Sequence, residues 1–237
     1  MVARGSVLSL HRWPVKSMGG EPVASFELDH FGVAGDRAHA LFDTHQGSPR
    51  RLTARQAPRL LAWGASYGDW DGPARELPAA TLTAPDGARF GWGDPALPAA
   101  LADDLGRPVE LRWDAHGQQD LPASVLVTTR ATHEALEREL GRELDARRWR
   151  TNVAVELDAE AFAEEAWEGR TLTIGAARFE LLHPCVRCVI PTRDPDTQAK
   201  AADILRHLTR EHGGLFGMNA RALGAARIAV GDAVTVA

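Results

Sequence analysis

The chain of 237 residues predicts a mostly β fold of the α+β class. Three observations carry that prediction. Short runs alternate apolar and polar residues, Gly, Pro and Asp clusters punctuate them, and few stretches have helical spacing. In chain order, 7–10, 24–28, 38–42, 80–82 and 88–92 read as strands separated by turns, which is the pattern of a β-barrel or sandwich. Residues 51–58 start polar and turn helical, and 68–73 (Gly-Asp-Trp-Asp-Gly-Pro) is a loop. A helix over 95–105 is closed by Gly106, because glycine takes the left-handed position that ends a helix. Strands follow at 109–113 and 125–128. A helix over 131–140 carries Leu136 and Leu140 on one face and stops at Gly141. Further strands are expected at 153–157 and 172–182. An amphipathic helix over 197–212 buries Ala201, Leu205 and Leu208 and ends at Gly213-Gly214; its apolar stripe belongs to the core. Residues 226–236 read as two strands across a tight turn.

Composition narrows the function. The length suits one large or two small domains, with no internal repeat or low-complexity tract. A net charge of −5 argues against nucleic acid as the main partner. The first residues lack an apolar signal core, and no run approaches membrane-spanning length, so no membrane partner is expected. Two cysteines make no disulfide framework, which fits a reducing cytoplasm.

Both cysteines fall in one short segment, His183-Pro-Cys185-Val-Arg-Cys188, after an apolar run over 178–182 and before the turn cluster Pro191, Asp194, Pro195, Asp196. The thiols therefore lie where a strand ends and a loop begins. Four readings of the pair stay open. A redox dithiol of the thioredoxin kind wants a helix directly after the motif, and Pro191 stands against that. A structural zinc site needs four ligands, and His183 is the nearby imidazole. A single thiolate can ligate a soft transition metal, with the second cysteine a bystander. The plainest reading is two buried cysteines acting as small apolar residues. Arg187 favours the thiolate readings, because an adjacent cation stabilises S⁻ over SH.

The second signal is at the start of the chain, where Trp13-Pro-Val-Lys16-Ser17-Met-Gly-Gly20 runs from a strand into a turn. Lysine occurs only as Lys16 and Lys200 among 27 Lys plus Arg, so a lysine kept beside a Gly-Gly turn suits an anionic ligand. The alternative is a leftover surface lysine. Next comes Gly32-Val-Ala-Gly35-Asp36-Arg37, a glycine-rich turn that enters another strand, then Leu52-Thr-Ala-Arg55-Gln-Ala-Pro58.

Together these motifs resemble the MOSC family, which takes in the mitochondrial amidoxime-reducing component, its bacterial relatives and the C-terminal domain of molybdenum cofactor sulfurases. Trp-Pro-Val-Lys-Ser, Gly-Asp-Arg and Leu-Thr-Ala-Arg-Gln-x-Pro resemble its N-terminal β-barrel domain. His-Pro-Cys-x-Arg-Cys followed by Asp-Pro-Asp-Thr resembles the signature of the MOSC domain itself. The resemblance implies an N-terminal β-barrel-like domain over 1–95, packed on a MOSC β-barrel with flanking helices over 96–237. It also implies a molybdopterin-type molybdenum cofactor ligated by the cysteine of the Arg-Cys dipeptide, which is Cys188, with Cys185 in support. The same resemblance maps cofactor contacts onto Lys16, Ser17 and Arg37, onto Arg150 and Asn152 in Arg147-Arg-Trp-Arg150-Thr-Asn152, and onto Ser124 as the hydroxyl before the central strand. Lys16, Arg37, Arg150 and Asn152 are then expected to line one cavity in front of Cys188. Arg142 and Arg147 read as a solvated face trailing the helix over 131–140. Gln198 stands where the family has glycine, which alters the turn beside the metal.

The function this implies is reductive removal of oxygen from a small N-hydroxylated substrate, with Cys188 as metal ligand and catalytic residue. The alternatives are a non-catalytic carrier of the cofactor or of sulfur, and a zinc-binding structural domain. The chain has no GxGxxG fingerprint and no cysteines left for an iron–sulfur cluster. Electrons are therefore expected from a separate ferredoxin- or cytochrome-type donor with its reductase.

Overall fold

A computed structural model describes residues 2–44, 49–114, 117–118 and 121–237. The first part of the chain forms β1 (Ala3–Arg12), β2 (Glu21–Val23), β3 (Ser25–Asp29), β4 (Gly32–Val33), β5 (His39–Asp43) and β6 (Arg50–Arg51). It continues through β7 (Gly64–Ser66), β8 (Thr81–Thr83), β9 (Arg89–Gly91), α1 (Leu97–Leu105) and β10 (Val109–Trp113). The second part runs β11 (Ser124–Thr129), α2 (Arg130–Leu140), β12 (Val153–Leu157), β13 (Thr171–Ile174) and β14 (Ala177–Val186). It ends with α3 (Ala202–Glu211), β15 (Leu215–Ala222), β16 (Ala226–Ala229) and β17 (Ala233–Val236).

Strands β12, β11, β15, β14, β13, β17 and β1 close into a seven-stranded barrel, because β1 pairs with β17 on one side and β12 on the other. Parallel pairing joins β11 to β12, and α2 supplies the crossover that such a connection requires. Alternate residues fill the interior, Val125 and Val127, Val153 and Val155, Phe179 and Leu181, Val234 and Val236, and in β1 a register shift after Val7 brings in Leu10 three positions on. Closure depends on Gly5, where a Cβ would lie 1.7 Å from the carbonyl oxygen of Glu156 across the β1–β12 seam.

Strand β2 adds to the barrel sheet by pairing with β1, and the other strands make three small sheets. The β16–β3–β4 sheet packs Phe26, Leu28 and Ile228 onto the barrel core. The sheets β10–β5–β6 and β7–β8–β9 enclose a second core of Val15, Met18, Leu41, Leu60, Trp63 and Leu82, sealed by Leu97 and Leu101 of α1. A third core joins Leu136 of α2 to Ile204 and Leu208 of α3 through Trp149 and Phe216, whose rings stack at 3.9 Å.

Four sequence expectations are corrected. The run 172–182 is not one strand but parts of two, β13 and β14, which form a hairpin turned at Gly175 (φ 53°). Its apolar residues occupy both arms of the hairpin, so the run reads as continuous. The helix expected over 197–212 begins at Ala202. The chain before it is held by Asp194 Oδ1, which accepts bonds from the Asp196 and Thr197 amides and the Thr197 hydroxyl, and by a bridge between Arg193 and Lys200. The two closing strands do not pair with each other: β16 joins β3, while β17 joins β1 and β13. The helical turn expected near 51–58 is a 3-10 helix over Pro58–Ala62.

His39 makes stability depend on pH. It is 3% exposed, packs edge-on against Trp92 at 4.3 Å, and its Nδ1 lies 3.0 Å from the Tyr67 hydroxyl. Burial pushes its pKa from 6.5 to about 4, against a smaller opposing effect of the Pro14 backbone. The unfolded chain therefore takes up a proton near pH 6.5 that the folded chain refuses until about pH 4. The contribution is complete above pH 6.5 and is lost as pH falls to about 4, a difference of roughly 3 kcal/mol. Urea unfolding from pH 7 to 4.5 should show this loss, and His39→Gln should flatten it. Equal pH slopes in the two proteins would remove His39 as the cause.

Candidate functional site

A cavity of about 430 Å³ opens between the barrel and the turns of the first part of the chain. From the barrel side come Ser124 at the start of β11, Leu126 within it, Asn152 just before β12, Cys185 at the end of β14 and Asn219 of β15. Lys16 and Ser17 come from the turn after β1, Arg37 from the turn before β5, and Arg55 from the segment after β6. Trp149, Arg150, Arg187, Cys188 and Ile190 also line it. Lys16, Ser17, Arg37, Ser124, Arg150, Asn152 and Cys188, far apart in sequence, are thus brought together on one cavity.

The cysteine segment is shaped by irregular pairing. The β14–β15 register shifts between Leu181 and His183 and again between Pro184 and Val186, so the strand end is re-aimed where Cys185 sits. Cys188 follows two residues beyond the strand, and both thiols are free and partly exposed. Arg187 departs from the sequence expectation. Its Nη1 lies 3.2 Å from Cys185 Sγ, and its Nη2 donates to the Trp149 carbonyl at 2.7 Å. The adjacent guanidinium is thus bonded to Cys185 and to the Trp149 carbonyl. Arg150 is close enough to Cys188 for a thiolate there to favour its charged form.

Arg150 is the buried centre of the site. It is 8% exposed, its guanidinium lies 4.3 Å above the Trp13 ring, and one nitrogen donates to the Met18 carbonyl. Nη2 is buried without a hydrogen-bond partner. Burial, then repulsion from Arg37, pushes its pKa down to about 9, so it is still a cation at neutral pH. Arg37 donates to Asp36, to Asn152 Oδ1 at 3.4 Å and to the Arg150 carbonyl at 3.2 Å. Asn152 is fully engaged: its amide nitrogen donates to Asp36 at 3.0 Å and to the His11 carbonyl at 3.2 Å, while its oxygen also accepts from the Leu126 amide. Asn152 acts on the cavity by holding Arg37 and Asp36.

The backbone is also unusual here. Of the six non-glycine residues with positive φ among the described residues, Ser17 (70°), Arg37 (50°) and Arg150 (54°) line the cavity, and Ala123 (59°) adjoins Ser124. Each such conformation costs on the order of 1–3 kcal/mol and persists where neighbours enforce it. Ser17 is enforced by its hydroxyl oxygen, which accepts from the Ala54 amide at 3.0 Å.

The electrostatics are one-sided. Lys16, Arg37, Arg55, Arg150 and Arg187 line the cavity, and no described carboxylate does. Such a wall suits an anion. Among the described residues, the group of three or more metal-capable side chains with ligating atoms within 4.8 Å of one another is Glu139, His207 and His212, none of which lines the cavity. The solvated face expected at Arg142 and Arg147 consists of exposed ion pairs: Arg142 with Asp203, and Arg147 with Asp145 and Asp196. Sequence reasoning quoted Arg55 within a motif but gave it no role, offered His183 only as a zinc ligand, and did not single out Asn219. Leu126 and Trp149 carried no signal, since each looks like an ordinary strand or helix-end apolar residue.

Comparison with known proteins gives two domain matches. The MOSC domain profile matches residues 114–235, and the MOSC N-terminal beta barrel domain profile matches residues 4–90. The mitochondrial amidoxime reducing component 2 of Macaca fascicularis is 24% identical over 230 residues, covering 81% of this chain and 68% of that protein. The crystal structure of the YuaD protein from Bacillus subtilis covers 100% of this chain and 96% of its own at 13% identity, with a TM-score of 0.52, a likeness of fold. That of YiiM from Geobacillus stearothermophilus covers 48% of this chain and 53% of its own, at 15% identity and a TM-score of 0.39.

Proposed function

The chain belongs to the MOSC family, and from that premise we propose that it holds a molybdopterin-type molybdenum cofactor and reduces small N-hydroxylated substrates. The observation that carries this reading is the convergence of Cys188 and five cationic side chains, with no described carboxylate, on one cavity of about 430 Å³. The donor set fits the group. Lys16, Arg37 and Arg150 would hold its phosphate, since charge-assisted bonds are worth roughly 1.5–3 kcal/mol each. The unpartnered Nη2 of Arg150 is a buried donor that an anionic or polar ligand would satisfy. Ser17 and Ser124 supply hydroxyls, Asn152 keeps Arg37 in place, and Cys188 supplies the thiolate for the metal. We propose 1–95 and 96–237 as the corresponding sequence units, with the cavity between them.

When bound, the cofactor supplies a two-electron centre for oxygen removal. The substrate N–O bond breaks, two electrons and two protons are taken up, and water leaves. The chain's own part is to keep Arg150 charged beside Cys188, to hold Cys185 with Arg187, and to present His183 and Asn219 at the rim. His183 Nδ1 lies 3.0 Å from the Pro184 carbonyl and 3.4 Å from Asn219 Nδ2.

Electrons come in this reading from a separate ferredoxin- or cytochrome-type donor with its reductase. The free thiols suit a reducing compartment such as the cytoplasm, which is the proposed location. No described helix is long and apolar enough to cross a membrane. A second reading, a carrier of cofactor or sulfur, is favoured by the partly exposed Cys185 thiol 3.2 Å from the Arg187 guanidinium. Protein made in a molybdenum-replete host should contain molybdenum. It should reduce an amidoxime or hydroxylamine with an artificial reductant or an added redox partner, and do nothing with NADH or NADPH alone. Full molybdenum with no turnover under any reductant would replace the reductase by the carrier, and turnover with NADH alone would reveal a second cofactor site.

A further inference from the structure

One cluster of ligating side chains is unused by the cavity. Glu139 lies in the last turn of α2, His207 lies on α3, and His212 follows α3 directly. Nε2 of His207 and Nε2 of His212 lie 2.7 Å and 2.8 Å from the same Glu139 Oε2. We propose that Glu139, His207 and His212 form a binding site for a divalent ion of the zinc type, separate from the cysteine pair.

Two imidazole nitrogens and a carboxylate oxygen are a borderline-soft donor set, which suits zinc and its transition-metal neighbours rather than magnesium or calcium. Metal–ligand bonds of about 2.0–2.2 Å place tetrahedral ligands roughly 3.4 Å apart. The nitrogen–oxygen separations of 2.7 and 2.8 Å therefore need to open by less than about 1 Å to admit the ion. The rings are already oriented. His212 stacks on Phe162 at 3.8 Å with planes 14° apart, and the side chains of His207 and His212 are only 15% and 14% exposed. Glu139, at 34%, leaves a path for entry from solvent. A further carboxylate is at hand: Glu165 Oε1 is buried without a hydrogen-bond partner, and the charge of His212 acts on this group. Its charge would help balance that of the ion. The bound ion would tie α2 to α3 over the core of Leu136, Ile204, Leu208 and Phe216, which also contains Trp149 of the cavity wall.

The test uses the full chain carrying Cys185→Ser and Cys188→Ser, so that thiols cannot take up the ion, after removal of metals by chelation. Zinc titrated in a calorimeter should bind with one equivalent and a Kd below about 100 µM. At a hundredfold excess over Kd, the thermal midpoint should rise by roughly 5–10 °C. Adding His207→Asn and His212→Asn should abolish both the heat and the zinc-induced rise, each measured against that variant's own metal-free midpoint. A Kd above about 100 µM, or equal uptake by the histidine variant, would overturn the proposal and leave a hydrogen-bonded cluster only.

Discussion

Cys188→Ala protein is expected to lose its molybdenum to background, while Cys185→Ala keeps most of it. The two thiols sit three residues apart on the same cavity, but their surroundings differ. Cys185 is engaged by Arg187 at 3.2 Å, whereas Cys188 lies beyond the strand end and shares its electrostatic environment with Arg150. Removing Cys188 deletes the proposed metal ligand and leaves the cationic wall intact. Arg150→Ala makes the opposite cut, removing roughly 1.5–3 kcal/mol of charge-assisted contact while keeping the thiol. Elemental analysis together with a pterin assay separates the two effects. Cys188→Ala should lose metal before pterin, and Arg150→Ala should lose both in proportion. Equal molybdenum in wild type and Cys188→Ala sinks the ligand assignment, and loss confined to Cys185→Ala moves it to the other cysteine.

Glu21→Ala should lower stability by about 3–5 kcal/mol, a large share of the roughly 5–15 kcal/mol that a domain has. Arg12 is fully buried, with its guanidinium 4.9 Å from both the Tyr67 and Trp70 rings. Glu21 Oε1 accepts from its Nε at 2.9 Å and its Nη2 at 2.6 Å. The same carboxylate accepts from the backbone amides of Tyr67 and Gly68. The substitution therefore strands a buried cation and two amides at once. Denaturant unfolding should show the loss, with a fall in Tm of roughly 6–20 °C. Arg12→Met combined with Glu21→Leu should recover the part of the loss that comes from the stranded charge, while the Tyr67 and Gly68 amides stay without the carboxylate. A loss under about 1 kcal/mol for Glu21→Ala would mean that water reaches Arg12.

Glu21 also marks a limit of reading the sequence. Arg12 and Glu21 stand nine residues apart in a segment of ordinary polarity, and no periodicity distinguishes a buried ion pair from two surface charges. The two-residue strands Gly32–Val33 and Arg50–Arg51 left no pattern for the same reason: too few alternations to form a period. Where the signal was local, it held. The strands Val109–Trp113 and Val153–Leu157 and the helix ending at Leu140 before Gly141 follow from alternation and from a left-handed glycine cap.

By itself the sequence determined a mostly β fold, its helix stops, a reactive-looking Cys185–Cys188 pair and a set of motifs that named candidate residues. These are properties of neighbouring residues, written in spacings of two to four and in short motifs. Only the tertiary structure decided that β1 closes a barrel made otherwise from the second half of the chain, and that Arg187 bonds to Cys185. It also decided that Asn152 is spent on Asp36 and Arg37, and that Glu139 meets two histidines about seventy positions away. Such contacts join residues whose separation along the chain carries no period, and they exist only once burial and backbone hydrogen bonding have fixed where each strand end and turn comes to rest.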